Sequence, residues 1–528
     1  MIPKAIKPMG PSRQAWLHDE TRAIGQAESW SMPEQFQEAA EILSYCAAEG
    51  LKVTFQGART GLCGAATPIS GHVLGLSAMS RPVSLKEGPD GSFLLKVRPG
   101  MSLEALNGAL SRRRFEGFEE SGPELKELEE LFRRGPHFWP PNPGEASATL
   151  GGLASTNAQG PNFWRYGPAG RSVLAIELLT PDGALHQIER PRAAFKAGKL
   201  HLPGNKTLKL SPSDLGEGNK LELIDLILGS QGTLGLITAL TLVLAPKPPS
   251  VWGLAFFFEN EERAAAFVDS CLNEAEEKSG GRLAPMVSLD YLDSSSLGLV
   301  AHLKKTAAKL KAIAQPPAGA ACAVLIELHG RDEGASEEAA GRLMELCAQA
   351  GGDPDRSWAL TGEEAEKIQI FRHAVPEALG AIVDHLKAKG APPFRIGLDA
   401  SFPGLSFSAF VKSLRASLKK FGLEGALFGH APQNRLHLTL IETQFQKIGL
   451  AFALFHTLYN NSEKSKGALF PEHGAGKFKT LEWLRLTRPE EVRARRLIKS
   501  ALDPGLLLNP GNWPLDPPGE DSAEEGPL

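Results

Sequence analysis

Apolar residues in "PEQFQEAAEILSYCAAEG" (33–50) recur at helical spacing, and "LKVTF" (51–55) behind them has the composition of a strand. A glycine-rich turn follows, so the pattern predicts a helix–strand–loop unit. Further strands are expected at "HVLGL" (72–76), at "FLLKVRPG" (93–100) and in "VLAIELLTPDGALHQI" (173–188), where Pro-Asp-Gly marks a hairpin turn. Between them, "RRRFEGFEESGPELKELEELFRRG" (112–135) centres on the charged "ELKELEELF" and predicts a solvated surface helix inserted in a loop. Pro246, Pro248 and Pro249 punctuate the chain as a domain boundary would. From 250 to about 470, strands such as "WGLAFFF" and "CAVLIELHG" alternate with helices such as "NEERAAAFVDSCLNEAEE" and "ASEEAAGRLMELCAQAG". Alternation with antiparallel hairpins predicts an α+β domain. The short, motif-dense stretch from "PEHGAGK" through the helix "PEEVRARRLIKSALDP" to "LLNPGNW" is expected to return to the first domain.

Composition narrows the function. The 528 residues suffice for two or more cores, and 22% charged residues with a net charge of -4 offer no basic field for nucleic acid. A small-molecule substrate is expected. Glycine (55) and proline (39) are abundant, as in a loop-rich α/β protein with many close backbone approaches. Cys46, Cys63, Cys271, Cys322 and Cys347 are scattered without a C-x-x-C, so neither a disulfide framework nor an iron–sulfur site is expected. A cytoplasmic location fits, with no signal peptide and no membrane span, while peripheral docking at the inner membrane face stays open. The closing "PLDPPGEDSAEEGPL" (514–528) reads as a disordered acidic tail.

Three glycine clusters carry chemistry. "QGARTGLCGAA" (56–66) follows a strand, and Gly57, Gly61 and Gly64 let backbone N–H groups approach an anion; a tight structural turn is the plain alternative. In "PPNPGEASATLGGLASTNAQGPNFWRYG" (140–167), Gly151, Gly152 and Gly160 alternate with Ser155, Thr156 and Asn157, small enough to follow a dinucleotide closely. "GSQGTLGLIT" (229–238) places glycine at every third residue before a strand. None is a G-x-G-x-x-G or Walker loop, and "HGAGK" (473–477) lacks both the first glycine and the Ser/Thr of a phosphate loop. Three such loops in one domain imply a dinucleotide held outside the usual nucleotide folds.

"GHAPQNRLHL" (429–438) holds two histidines around a kink. If Pro432 to Arg435 form the turn, Ala431 pairs with Leu436 and His430 lies directly opposite His437, Cβ atoms about 4.5–5.5 Å apart. That distance suits two imidazoles on one metal ion. It also suits two ordinary strand histidines.

The three clusters, in this order and spacing over roughly residues 33 to 513, resemble FAD-linked oxidases of the vanillyl-alcohol-oxidase type. The branch is that of D-lactate dehydrogenase, D-2-hydroxyglutarate dehydrogenase and the glycolate oxidase flavoprotein subunit. The resemblance implies an α+β chain: an FAD-binding domain of the PCMH type, an α+β substrate (cap) domain, and a C-terminal segment returning to the FAD domain. The expected division is an N-terminal extension (1–32), the FAD domain (33–248), the cap (249–470), the completing segment (471–513) and the tail (514–528). It further implies that Gly57, Arg59, Thr60, Gly61 and Gly64 hold the pyrophosphate. Pro141, Gly151, Gly152, Ser155, Asn157, Gly160, Gly167, Gly232, Gly235, Ile237 and Asn509 would line the cofactor. Arg59-Thr60-Gly61 stands where relatives with covalent flavin carry a histidine, so FAD should be non-covalent.

"FGHAPQNRLHL" resembles the family's G-H-x-x-x-x-x-L-H-L element and "PEHGAGKFK" its E-H-G-x-G element. The resemblance makes His430, His437 and Glu472 ligands of a divalent metal (zinc, manganese or iron) and His473 the base facing the flavin. "IQIFRHAVPEAL" resembles the element whose arginine clamps the substrate carboxylate, which selects Arg372. Two departures bear on the substrate. Gly397 stands where the hydroxyglutarate enzymes place a lysine, which favours a monocarboxylate unless Arg395 reaches in, and Pro-Gln-Asn-Arg replaces a Gly-Asp-Gly-Asn type of turn. The implied activity is oxidation of a small 2-hydroxy acid, D-lactate or glycolate, by hydride transfer to flavin. Electrons would pass to a quinone, an electron-transfer flavoprotein or an iron–sulfur partner. A flavin transferase like the alkylglycerone-phosphate synthases, or a flavoprotein subunit of a larger complex, are the alternatives; a homodimer is also compatible.

Overall fold

The computed structural model describes residues 2–118, 123–196, 198–216, 220–277, 281–391 and 393–513. The acidic tail 514–528 and residues 119–122 of the charged insertion lie outside the described residues. The chain forms two compact units. The first comprises 1–158, 168–247 and 472–528; the second comprises 159–167 and 248–471.

In the first unit the expected helix runs Phe36–Ala48 and buries Ala39, Ile42, Leu43 and Cys46, one stripe at i, i+3, i+4 and i+7. It covers a four-stranded sheet in which Val53–Gln56 and His72–Gly75 pair in parallel. A second sheet of six strands holds the expected hairpin, Val173–Leu179 with Leu185–Glu189, and is centred on the long strand Leu236–Pro246. The surface helix of the insertion runs Pro123–Arg133, and Glu130 pairs with Arg133 and Arg134 on it.

The second unit is built on a seven-stranded antiparallel sheet. Its spatial order is Trp358–Thr361, Ser250–Phe258, Cys322–Gly330, Met286–Leu292, Ala426–His430, Arg435–Glu442 and Phe394–Gly397. Register puts Asp290 beside Leu325 on one strand and His430 on the other, and Phe428 beside Leu292 and His437. These residues therefore share one face. Its apolar half packs under the helix Glu366–Ala388 through Ile368, Phe371, Ala374, Val375 and Leu379. The rest of that face carries Glu327, His329, Asp290, His430, Arg435 and His437, a polar strip, whereas the middle of the opposite face is lined by Leu254, Phe256, Val324, Ile326, Leu328, Val287, Leu289, Leu427, Leu436, Leu438 and Leu440. The second unit is thus a core on one half of this face and chemistry on the other.

The hairpin forms, but two residues out of the expected register. His430 pairs with Arg435 and His437 with Phe428, because the loop spans Ala431–Asn434 with Gln433 and Asn434 at φ of 57° and 54°. A shift of two keeps the parity of the pleat, so both histidines still share a face as diagonal neighbours.

Candidate functional site

The first and third glycine clusters and residues 140–158 of the second come together in the first unit. A Cβ on Gly57 would lie 2.2 Å from Thr149 Oγ1, so the first loop touches the residue that caps the helix Leu150–Thr156 of the second cluster. Gly151 packs its Cα face on Pro99, where a Cβ would approach to 2.5 Å. The third cluster docks on that helix through Gly229 N to Ala154 O and Gln231 N to Ser155 O. Asn157 ends the helix at φ 48° and accepts from Gly170 N.

Asn509 is a brace. Its Oδ1 accepts from Phe55 N at 2.7 Å and its Nδ2 donates to Gln231 O at 2.6 Å, so it ties the first strand to the third cluster, while Gly232 leaves it room. Ile237 is buried in the long strand against Leu178, and Gly235 packs on Leu178. Pro141 is buried behind the strand His137–Phe138, and Thr60 is half-buried in the first loop. Gly160 and Gly167 bracket the segment 159–167, which belongs to the second unit.

The C-terminal segment ties these loops down, through residues that sequence patterns did not single out. Cys63 Sγ donates to His473 O at 3.0 Å, and burial pushes that thiol up to about 12, so it remains a donor. Lys477 Nζ donates to Gly64 O, Ala65 O and Asn512 Oδ1, which explains the lysine of "HGAGK" as a strut. Gln231 Oε1 accepts from Gly476 N.

This cradle fits a dinucleotide. A Cβ at Gly61 would meet nothing within 4 Å and one at Gly152 only Thr149 Oγ1, so both glycines border open space. Arg59, Asn157 and Gln231 on these loops, and Asn509 that braces them, are non-glycine residues at positive φ, the clustering of strain expected at a ligand site. Gln231 Nε2 is buried without a hydrogen-bond partner, a donor in want of an acceptor.

In the second unit, Asp290 joins two of the expected residues. Its Oδ1 lies 2.6 Å from His430 Nδ1 and its Oδ2 3.7 Å from Arg372 Nη1, and the side chain is 2% exposed. A carboxylate can only accept, so the His430 proton sits on Nδ1 and Nε2 keeps its lone pair. His437 stands with its ring centroid 5.8 Å from that of His430, edge to face. Gly429 makes this possible: at φ 113° it leaves the space a Cβ would fill 2.8 Å from His437 Cδ2.

Glu472 follows the last residue of this unit by one peptide bond. Within the second unit, His430 and His437 stand on one face of the hairpin as diagonal neighbours. Two imidazoles suit zinc, manganese or iron, and a carboxylate behind His430 is the usual support for a metal-ligating histidine. The donor set fits a divalent metal.

A second buried carboxylate flanks Arg372. Burial alone would raise the pKa of Glu327, but hydrogen bonds from His329 and Gln369 and the charge of Arg372 hold it below the usual carboxylate value. His329 Nε2 lies 2.7 Å from Glu327 Oε1, and its Nδ1 lies 2.8 Å from Tyr166 Oη. Burial pushes the Tyr166 phenol up. Arg435 bonds Gln433 and Gln159 and lies 4.1 Å over the Phe163 ring, so the altered turn pins segment 159–167 to the hairpin. Neither Asp290 nor Glu327 had a sequence signal: each is one acidic residue in an apolar strand, and only that incongruity marked them.

Residues 254–513 match the model of the C-terminal domain of FAD linked oxidases, and 30–122 and 119–189 match that of an FAD binding domain. The chain is 26% identical over 525 residues to a D-lactate dehydrogenase of Anaerostipes hadrus, covering 97% of this chain and 95% of that one. It is 24% identical to the glycolate oxidase subunit GlcD of Bacillus subtilis (91% and 87% covered). It is 26% identical to the mitochondrial D-2-hydroxyglutarate dehydrogenase of Bos taurus (95% and 78%). Among solved structures, an alkyldihydroxyacetonephosphate synthase shares the fold at a TM-score of 0.64 and 15% identity, covering 97% of this chain and 84% of that one. With an FAD-binding PCMH-type domain followed by the C-terminal oxidase domain, the chain belongs to the FAD-linked oxidases.

Proposed function

We propose that this FAD-dependent oxidoreductase oxidises a small 2-hydroxy acid, D-lactate or glycolate, to the 2-oxo acid with the help of a divalent metal. The single observation that supports it most is the pair His430 and His437 on one face, backed by Asp290 beside Arg372; Glu472 is the third ligand of the proposed set. When bound, FAD supplies the two-electron acceptor and the metal a Lewis acid for the alcohol oxygen. Arg372 binds the substrate carboxylate through its planar fork. His473 takes the hydroxyl proton, and the carbon's hydrogen leaves with its electron pair, so the alcohol becomes a carbonyl and no atom is left over. The first-loop glycines hold the pyrophosphate without covalent attachment of the flavin. The electrons then leave to a quinone, an electron-transfer flavoprotein or an iron–sulfur partner.

The test is the absorption spectrum of the purified protein, followed without oxygen as D-lactate, L-lactate, glycolate and D-2-hydroxyglutarate are added in turn. Bleaching of the flavin band by one of them, lost on chelation and in His437→Ala, is the expected result. A band that no 2-hydroxy acid bleaches, with metal present, would remove the dehydrogenase function and leave a transferase, whose turnover is redox-neutral.

A further inference from the structure

We propose that Asp290 is a positioning residue that couples metal binding to substrate binding, and this rests on the function proposed above. Its two oxygens are divided between the two groups that function requires: one faces the Nδ1 of a metal ligand, the other the guanidinium of the carboxylate clamp. The division is set by the sheet. Asp290 and His430 are direct partners in the strand register, so neither can drift without breaking the ladder between Met286–Leu292 and Ala426–His430.

The chemistry follows from burial. A carboxylate 2% exposed must be compensated by charge or hydrogen bonds, and His430 and Arg372 both supply them. By accepting the Nδ1 proton, Asp290 keeps His430 in the tautomer whose Nε2 can ligate and makes that nitrogen a stronger donor. The same negative charge holds Arg372 facing the site. A metal on His430 draws on the carboxylate from one side and a substrate anion on Arg372 draws on it from the other. Each binding event therefore alters the other's affinity, reciprocally, through one shared charge.

Glu327 provides the internal comparison. It also lies close enough to Arg372 to feel its charge, but its oxygens are taken by His329 and Gln369 rather than by His430. Removing its charge should disturb the clamp and leave the metal alone.

The experiment uses the full-length, FAD-loaded protein. Zn²⁺ affinity is measured by competition with a chromophoric chelator, independently of turnover, and D-lactate KM and kcat are measured beside it. Asp290→Asn keeps the volume and an acceptor oxygen and removes the charge. It should lower Zn²⁺ affinity by about 10–100-fold and raise KM, with unchanged circular dichroism. Asp290→Glu, which restores the charge, should recover part of both. Glu327→Gln should raise KM and leave Zn²⁺ affinity unchanged. Tight Zn²⁺ binding by Asp290→Asn, or an equal loss in Glu327→Gln, overturns the proposal. If the unmodified protein binds neither Zn²⁺ nor Mn²⁺, the metal-dependent function fails first, and the coupling with it.

Discussion

Gly429 is the residue on which the histidine pair depends. A methyl group there would sit 2.8 Å from His437 Cδ2 on a backbone at φ 113°, so Gly429→Ala meets both a clash and a strained conformation. The expected cost is about 1–3 kcal/mol, read by chemical denaturation, with Zn²⁺ affinity falling because His437 is displaced. His72 governs a different property. It is fully buried between the hydroxyls of Ser29 and Ser31, and burial lowers its pKa from 6.5 to about 4. The unfolded chain therefore binds the proton first as pH falls from 6.5 towards 4, and stability drops through that window by on the order of 3 kcal/mol. A His72→Gln variant should flatten that part of the denaturation profile, and equal slopes in both proteins would refute the assignment.

Elements show how far sequence alone could reach. Helix Phe36–Ala48, the 173–189 hairpin and the strands Ser250–Phe258 and Cys322–Gly330 follow from periodicity, since one buried stripe or one apolar run is enough to specify each. The His430–His437 hairpin was legible in kind but not in register, because two consecutive positive φ angles at Gln433 and Asn434 are no property of "PQNR" that a pattern displays. Asp290 and Glu327 could not be placed at all without the pairing of strands far apart in the chain. The C-terminal helix Pro489–Leu502 carries its own prediction. Lys499 and Asp503 form a buried ion pair on it, and Lys499 Nζ also donates to Thr233 O and Leu508 O. Lys499→Met leaves the buried Asp503 carboxylate without its cation, with the Leu508 N–H still donating to it, and should cost about 3–5 kcal/mol in denaturation experiments. It should also loosen the third glycine cluster, seen as faster loss of FAD on dilution. Asp503→Asn in the same chain should return part of the stability.

At the scale of the molecule, two units carry separate tasks: one gathers the glycine loops, the other the polar strip. Among the described residues, no helix is long and apolar enough to cross a membrane. Ligands that bind only the native state raise its stability with concentration, by about 2.7 kcal/mol at one hundred times Kd. Adding FAD to protein stripped of it should therefore raise a calorimetric transition that Asn509→Ala, which loses the brace between strand and loop, raises less. The chain order adds a constraint of another kind. The first unit draws on stretches from both parts of the chain: Lys477 and Asn512 hold Gly64 and Ala65, 412 to 447 residues earlier, and Asn509 holds Gln231, 278 residues earlier. During synthesis the ribosome delivers 248–471 whole before any of those struts emerges. The glycine loops must wait for those struts until the last stretch leaves the exit tunnel, and a chain stopped prematurely after residue 471 would own every glycine of the three clusters and lack the struts Lys477, Asn509 and Asn512.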